Sequence, residues 1–515
     1  MNTEDEQIQR LDGPSATDIR ADSIASGVAL MLVLTVVQRT IGFARNIVVC
    51  RFLDPVELGM WNLAESFMIL AAPLIVFGIP GSFGRYIEHF RQRGQLRGFM
   101  RKTLAATVGV SLFGIVVMLA FRKQVSVIAF GSSSASEYAV YMIATLVVVI
   151  LYNVGGNLLI ALRQVRANAS VQFANSLIFS IVATILLATT TLGAKAVLLG
   201  YLVACFVTAI GSIYLVRNAI APLPHEEDRL KRNAVWKKLG PFIGWFWLSD
   251  LLVNLFNWID RLMIVHCAGL DQVEAAAMIG QYHTSRIIGV LLISVTGMLG
   301  GTLLSYLSHD WEAGRKAEAE AKLDFTLRLV SVSMTIVGVL TLLFAPIMFG
   351  LLLGGQYSEG FRILNVTMAY CIWSGLSSIA ANYIWCHERP AMSCVTVLVG
   401  IVVNTGLNFF LLPRWGLTGA VVATAIANLA ILAAIFLAST SLGLRVRPGT
   451  IATMLLPACL CFGTAPSIAI AIVAVWHGLE KHWLFSRAEV EQMRSQFQVY
   501  LQKFFRRRLS ASHVS

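Results

Sequence analysis

LGAKAVLLGYLVA, residues 192–204, returns as WGLTGAVVATAIA, residues 415–427. The offset, Leu192 to Trp415, is close to 223 residues, and it recurs. FGSSSASEYAVYMIATLVVVI from Phe130 matches LGGQYSEGFRILNVTMAYCIW from Leu353, and LRQVRANASV from Leu162 answers WCHERPAMSC from Trp385. Self-similarity at a fixed offset means one unit used twice. What the unit is follows from its apolarity: each copy holds runs of uncharged residues long enough to cross a bilayer core of about 30 Å.

The whole chain has that character. Of 515 residues, 57% are hydrophobic and only 13% are charged, where a soluble globular chain carries about 25% charge. The expected spans are α1 27–50, α2 59–80, α3 103–121, α4 139–161, α5 170–190, α6 196–216, α7 240–264, α8 278–306, α9 325–347, α10 362–384, α11 392–412 and α12 417–440. The fold class is all-α: a polytopic membrane protein of two parallel-repeat six-helix bundles, with a further apolar segment at 451–476. Six helices is an even number, so both halves insert with the same orientation. Such repeats usually enclose a midplane site between two bundles. The expected organisation is a tail 1–23, a bundle 24–217, a linker 218–238, a bundle 239–441 and a C-terminal region 442–515.

Charge in the loops sets the topology. Arg85, Arg91, Arg93, Arg97, Arg101 and Lys102 follow α2, and Arg217, Arg229, Lys231, Arg232, Lys237 and Lys238 follow α6. Arg315, Lys316 and Lys322 follow α8, whereas the loops after α7 and α9 hold no Lys or Arg. By the positive-inside rule the N-terminus is cytoplasmic. The net charge of +12 is therefore topological and calls for no nucleic acid. No cleavable signal peptide is apparent in the polar first 23 residues. The eight scattered cysteines read as small apolar residues. Residues 451–476, with Pro457 and Pro466, fit a span, a re-entrant hairpin or an interfacial segment. Residues 486–508 fit either a helix on anionic lipid or a solvated tail.

RNIVVCRFLDPVELGMWNLAESF from Arg45 and FGIPGSFGRYI from Phe77 open the first half. NWIDRLMIVHCAGLDQVEAAAMIGQYHTSRI from Asn257 and NTGLNFFLLPRWGLTGAVVATAIA from Asn404 shape the second. As an ordered set these stretches resemble the polysaccharide flippases of the multidrug/oligosaccharidyl-lipid/polysaccharide exporter superfamily, over about residues 25–440. The resemblance implies movement of a lipid-linked oligosaccharide from the inner to the outer leaflet by alternating access. It also implies a polyprenyl-diphosphate-linked glycan and membrane lipid as partners, with a polysaccharide polymerase or assembly proteins beside it, in a bacterial inner membrane. Many members have fourteen helices, and the end of this chain departs from that pattern.

Polar residues inside the spans carry the site reading, because a charge at the bilayer centre costs at least about 2.5–3.5 kcal/mol. On α7, Asp250, Asn254, Asn257 and Arg261 lie within about 40° of one another at 100° per residue, with Asp260 to the side. The stripe lines a cavity or bonds to other helices. Arg39 and Arg45 on α1 and Arg286 on α8 add cations, and the resemblance places these helices along the gap between bundles. A diphosphate would draw bidentate bonds from such guanidiniums; alternatively Asp250 and Asp260 pair with them to close an outer gate. The candidate substrate residues are Arg39, Arg45, Arg261, Arg286, Asn254 and Asn257. His283 reads as a packing histidine rather than a proton carrier. Relatives that flip peptidoglycan precursor have a sodium site on helices 7, 11 and 12. The resemblance implies that Asn404, Asn408 and Thr424, with Asp260 or Asp250, fall where its ligands would be, although Asn408 replaces an expected carboxylate. Coupling to Na+ or H+ there competes with plain interhelical bonding; no other cofactor is called for. Glu65 in α2 is a further intramembrane acid, and Gly78, Pro80 and Gly81 at the end of that helix suggest a hinge or a helix end.

No phosphate loop and no HExxH motif occurs in the sequence, which disfavours an ATP-driven pump and excludes that class of protease. Short outer loops disfavour a polymerase or ligase. The remaining rivals are a multidrug exporter, whose site would be acidic and aromatic, and a peptidoglycan-precursor flippase.

Overall fold

The computed structural model describes residues 24–221, 232–480, 489 and 491. The tail 1–23, the middle of the linker and nearly all of the stretch 486–508 lie outside the described residues. Those described are helical, with no strand among them. Every expected span is a helix. They are α1 Ile24–Phe52, α2 Pro55–Val76, α3 Leu96–Ala120, α4 Ser136–Ala161, α5 Val165–Thr189 and α6 Ala194–Ile220, then α7 Arg232–Cys267, α8 Gln272–Glu312, α9 Lys316–Ile347 and α10 Ser358–Ala380. α11 and α12 are the arms of one run, Pro390–Ser441, bent at Gly416. Among the described residues nine helices are long and apolar enough to cross a membrane, that run being one of them.

The repeat is written in the backbone as well as in the side chains. Gly416 has φ 54° and ψ −135°, and Gly193, its counterpart before α6, has φ 56° and ψ −129°. Side chains with a Cβ avoid that region, so both turns require glycine. Gly131 and Gly354 form a second matched pair, each at φ 76°.

The chain divides into two compact units. The first comprises Met1–Ile287, Ile347–Phe361 and Val397–Ala423. Here α1 packs on α5, α5 and α4 on α6, and α2 on α7. α2 opens with Asp54, whose carboxylate accepts from the Glu57 amide at 2.8 Å, and with Pro55 in the first turn. Both are helix-start choices: the side chain satisfies a free N–H and proline has none to lose. α2 and α8 approach backbone to backbone, since a Cβ on Gly59 would stand 1.7 Å from the Ala276 carbonyl and one on Gly280 would stand 2.0 Å from that of Pro55. Small residues four apart, Ala276 and Gly280, permit this contact.

The second unit comprises Ile288–Pro346, Arg362–Thr396 and Thr424–Ser515. It absorbs the C-terminal apolar segment, which forms a helix Pro448–Leu455, a 3-10 turn Leu456–Phe462 and a helix Thr464–Glu480. Trp373 Nε1 on α10 donates to the Met454 carbonyl at 2.9 Å, and Ser331 Oγ on α9 to that of Thr453 at 2.5 Å. Leu460 fills the space left by Gly338 on α9. The segment is packed into the bundle by α9 and α10.

Candidate functional site

Three of the intramembrane arginines converge on one carboxylate. Glu65, halfway along α2, interacts electrostatically with Arg45 of α1, Arg261 of α7 and Arg286 of α8. Each cation is held by a neighbour. The Arg45 guanidinium lies 4.0 Å from the centroid of the Phe179 ring, which packs on Trp61 and Tyr201. Arg261 is buried, its Nε donating to Asn62 Oδ1 at 2.7 Å and its Nη1 to the Asn257 carbonyl at 2.6 Å. Arg261 and Arg286 lie 5.6 and 5.4 Å from the Tyr282 ring centroid. Cation–π contact of this kind steadies a guanidinium without neutralising it. All three guanidiniums act on Glu65.

Asn62 also fixes His283. A guanidinium only donates, so Asn62 must present Oδ1 to Arg261 and Nδ2 to His283 Nδ1, 2.8 Å away. His283 Nδ1 is then an acceptor and the ring proton sits on Nε2. Asn62 was not among the residues singled out from sequence, because a lone asparagine in a span reads as packing.

The α7 stripe splits in two. Asp250 and Asn254 are bonded to each other at 3.2 Å and, with Glu65, line a cavity of about 500 Å³ within the first unit. Asn257 is exposed, and its amide turns back to the Val253 carbonyl at 3.0 Å. Arg39 is exposed and is not among the charges that act on Glu65.

Asp260 faces elsewhere. Its Oδ1 accepts from Asn404 Nδ2 at 2.9 Å and from Asn408 Nδ2 at 3.1 Å, and its Oδ2 accepts from the Tyr282 hydroxyl at 3.0 Å. Asn408 donates further to Asn404 Oδ1 at 2.7 Å. A carboxylate with three neutral donors is what an interhelical knot requires. Tyr282 links that knot to the arginines. Thr424 belongs to the second unit, where its carbonyl accepts from Asn428.

Residues 24–306 match the model of the family described as polysaccharide biosynthesis protein. No curated protein matches the chain. Among solved structures it is similar to the lipid II flippase MurJ in an inward closed conformation, with TM-score 0.66 at 12% identity, covering 87% of this chain and 99% of that one. A multidrug resistance MATE family transporter of the MOP superfamily, inward-facing, gives TM-score 0.62 at 14% identity over 78% of this chain and 94% of that one. A MOP superfamily transporter from Pyrococcus furiosus, whose reverse pocket polarity is said to suggest a different function, gives 0.60 at 14% identity over 82% and 98%. At these identities the likeness is one of fold. The fold is that of the MOP superfamily membrane transporters, and the matched span covers more than half of the chain's 515 residues: the chain belongs to the polysaccharide biosynthesis protein family.

Proposed function

We propose that the protein flips a polyprenyl-diphosphate-linked oligosaccharide from the inner to the outer leaflet of a bacterial inner membrane, by alternating access. The observation that carries this reading is the excess of guanidinium over carboxylate around Glu65. In a poorly hydrated site, three guanidiniums offer a diphosphate more charge-assisted bonds than Glu65 alone can use. Membership of a polysaccharide biosynthesis family supports a glycan as the cargo. A lipid II flippase among the neighbours of like fold supports a lipid carrier. The drug-exporter reading has less support, since an organic cation would meet Arg45, Arg261 and Arg286. The basic loops after α2, α6 and α8 support a cytoplasmic N-terminus.

For Asp260, Asn404 and Asn408 the proposed role is interhelical bonding, because the carboxylate is already occupied by three donors. Polymerase or assembly proteins would take the glycan on the outer side.

The test is replacement of Arg45, Arg261 and Arg286 by alanine, singly and together, in a strain that depends on this gene. Surface glycan should fall and lipid-linked precursor should accumulate on the inner leaflet. Normal surface glycan in the triple variant, at unchanged protein level, would remove the reading.

A further inference from the structure

The cavity beside Glu65 has a chemistry opposite to that of the arginine cluster. Two amides, Asn153 and Asn157, stand exposed one turn apart on α4. Asn168 and Gln172 stand one turn apart on α5, and Asn254 lies beside Asp250 on α7. Among the described residues no Lys, Arg or His lines it. Asn168 is 4% exposed, and its Oδ1 has no hydrogen-bond partner. That oxygen lies 3.3 Å from where a Cβ on Gly156 would be, and Gly156 also lines the cavity. Buried polar atoms are normally satisfied, so an unpartnered acceptor on a residue that lines a cavity points to a ligand that donates.

We propose that this cavity is the sugar subsite: it binds the neutral, hydroxyl-bearing glycan of the lipid-linked cargo, while the arginine cluster binds its diphosphate. The inference rests on the lipid-linked glycan reading above. Primary amides suit sugar hydroxyls because each offers two donors and two acceptor lone pairs. A cavity of about 500 Å³ is the size of ordinary ligand pockets. An anion is disfavoured there by Asp250 and by the lack of any cation among the described lining residues. An organic cation would meet Asp250 alone, since Glu65 is faced by three guanidiniums, whereas five amides line the cavity. Asn254 and Asp250 precede Arg261 on α7 by 7 and 11 residues, which at 1.5 Å per residue is roughly 10–16 Å along the helix axis. A diphosphate and the sugar joined to it can therefore occupy the two regions together, with Glu65 between them.

The experiment uses the full chain in detergent and native mass spectrometry with two probes. One is undecaprenyl diphosphate without sugar. The other is the sugar-bearing polyprenyl diphosphate fraction extracted from the host strain deleted for this gene. The wild type should retain the sugar-bearing lipid about tenfold better than the bare one. Asn168→Ala should abolish that preference and leave binding of the bare lipid unchanged. Gly156→Ala, which adds a methyl against Asn168 Oδ1 inside a helix where alanine is favoured, should do the same without lowering thermal stability. Preference surviving in both variants would overturn the subsite, and so would a wild type that binds both lipids equally; in either case the diphosphate reading stands. A wild type that binds neither lipid, or binds tetraphenylphosphonium instead, would overturn that reading and the subsite with it.

Discussion

Asn62 holds Arg261: the amide Oδ1 accepts from the guanidinium Nε at 2.7 Å, across 199 positions of sequence and inside a buried site. The same amide donates to His283, so one side chain on α2 positions a cation on α7 and a ring on α8. Asn62→Leu takes one bond from each partner, the Nε bond from Arg261 and the Nδ1 bond from His283. Loss of a buried bond to a charged group costs about 1.5–3 kcal/mol, so the melting temperature in detergent should fall and glycan export should drop by about tenfold or more. Asn62→Asp keeps an acceptor for Arg261 but cancels its charge. It should regain stability and not export. Recovery of export by Asn62→Asp would show that Asn62 acts only in packing.

Glu65 competes with any bound anion for the three guanidiniums. Glu65→Gln removes the competitor at nearly constant volume. Retention of undecaprenyl diphosphate by the purified protein should rise severalfold, and export in cells should fall because release becomes slow. Weaker retention would mean that Glu65 orders the arginines rather than competing with the cargo.

Gly193 and Gly416 test the repeat. Alanine at either position must adopt a backbone that side chains avoid, at about 1–3 kcal/mol each. A Cβ on Gly416 meets only Met278 Cε at 3.9 Å, whereas one on Gly193 lies 2.5 Å from the Glu57 carboxylate. Gly193→Ala should therefore lower the melting temperature more than Gly416→Ala. Equal shifts would mean that Glu57 yields without cost.

The spans were legible in the sequence because a bilayer demands long apolar runs, and even the α11–α12 bend showed itself as Arg-Trp-Gly. The C-terminal segment was not, because Pro457 and Pro466 break its period and its place depends on distant partners such as Trp373 and Ser331. Arg45, Arg261 and Arg286 stood out because a charge in hydrocarbon needs a reason. Asn153 and Asn157, and Asn168 and Gln172, carry the same spacing of four that exposed the α7 stripe. They went unnoticed because amides are cheap enough in a helix bundle to pass as packing. The separation of Asn257 from Asn254 was hidden for another reason: helical spacing gives a face, and the side chain of Asn257 returns to its own backbone.

Asp310, at the cytoplasmic end of α8 on the expected topology, should make stability depend on acid. Its Oδ1 accepts from Arg315 Nη2 at 2.8 Å, and its Oδ2 accepts from Lys322 Nζ. These bonds, that to Lys322 first, hold its carboxyl below the ordinary range. A depressed carboxylate contributes stability that is full above its unfolded value, near 4, and is lost as pH falls through the folded one. The melting temperature should drop between pH 5 and pH 3 in the wild type, and less steeply in Asp310→Asn. Parallel acid limbs in the two proteins would assign the loss to other carboxylates.

Arg328, 3% exposed on α9, is a buried cation of the second unit. Its Nη2 is 2.8 Å from Asp324 Oδ2, and Glu489 receives Nη1 at 3.2 Å and Nη2 at 2.8 Å. Asp324 also accepts from Thr450 of the C-terminal segment. Removing one partner of a buried pair costs about 3–5 kcal/mol because the other is left uncompensated. The partners differ in what they leave behind. Arg328→Ala takes a cation from two carboxylates, although Asp324 keeps Arg447 at 3.8 Å, whereas Glu489→Gln leaves Arg328 paired to Asp324, and the Glu489 side chain is 21% exposed against 13% for Asp324. Melting temperatures should therefore fall most for Arg328→Ala, less for Asp324→Asn and least for Glu489→Gln. Equal losses for Arg328→Ala and Glu489→Gln would instead make the contact to residue 489 the main support of Arg328, and Asp324 a minor one.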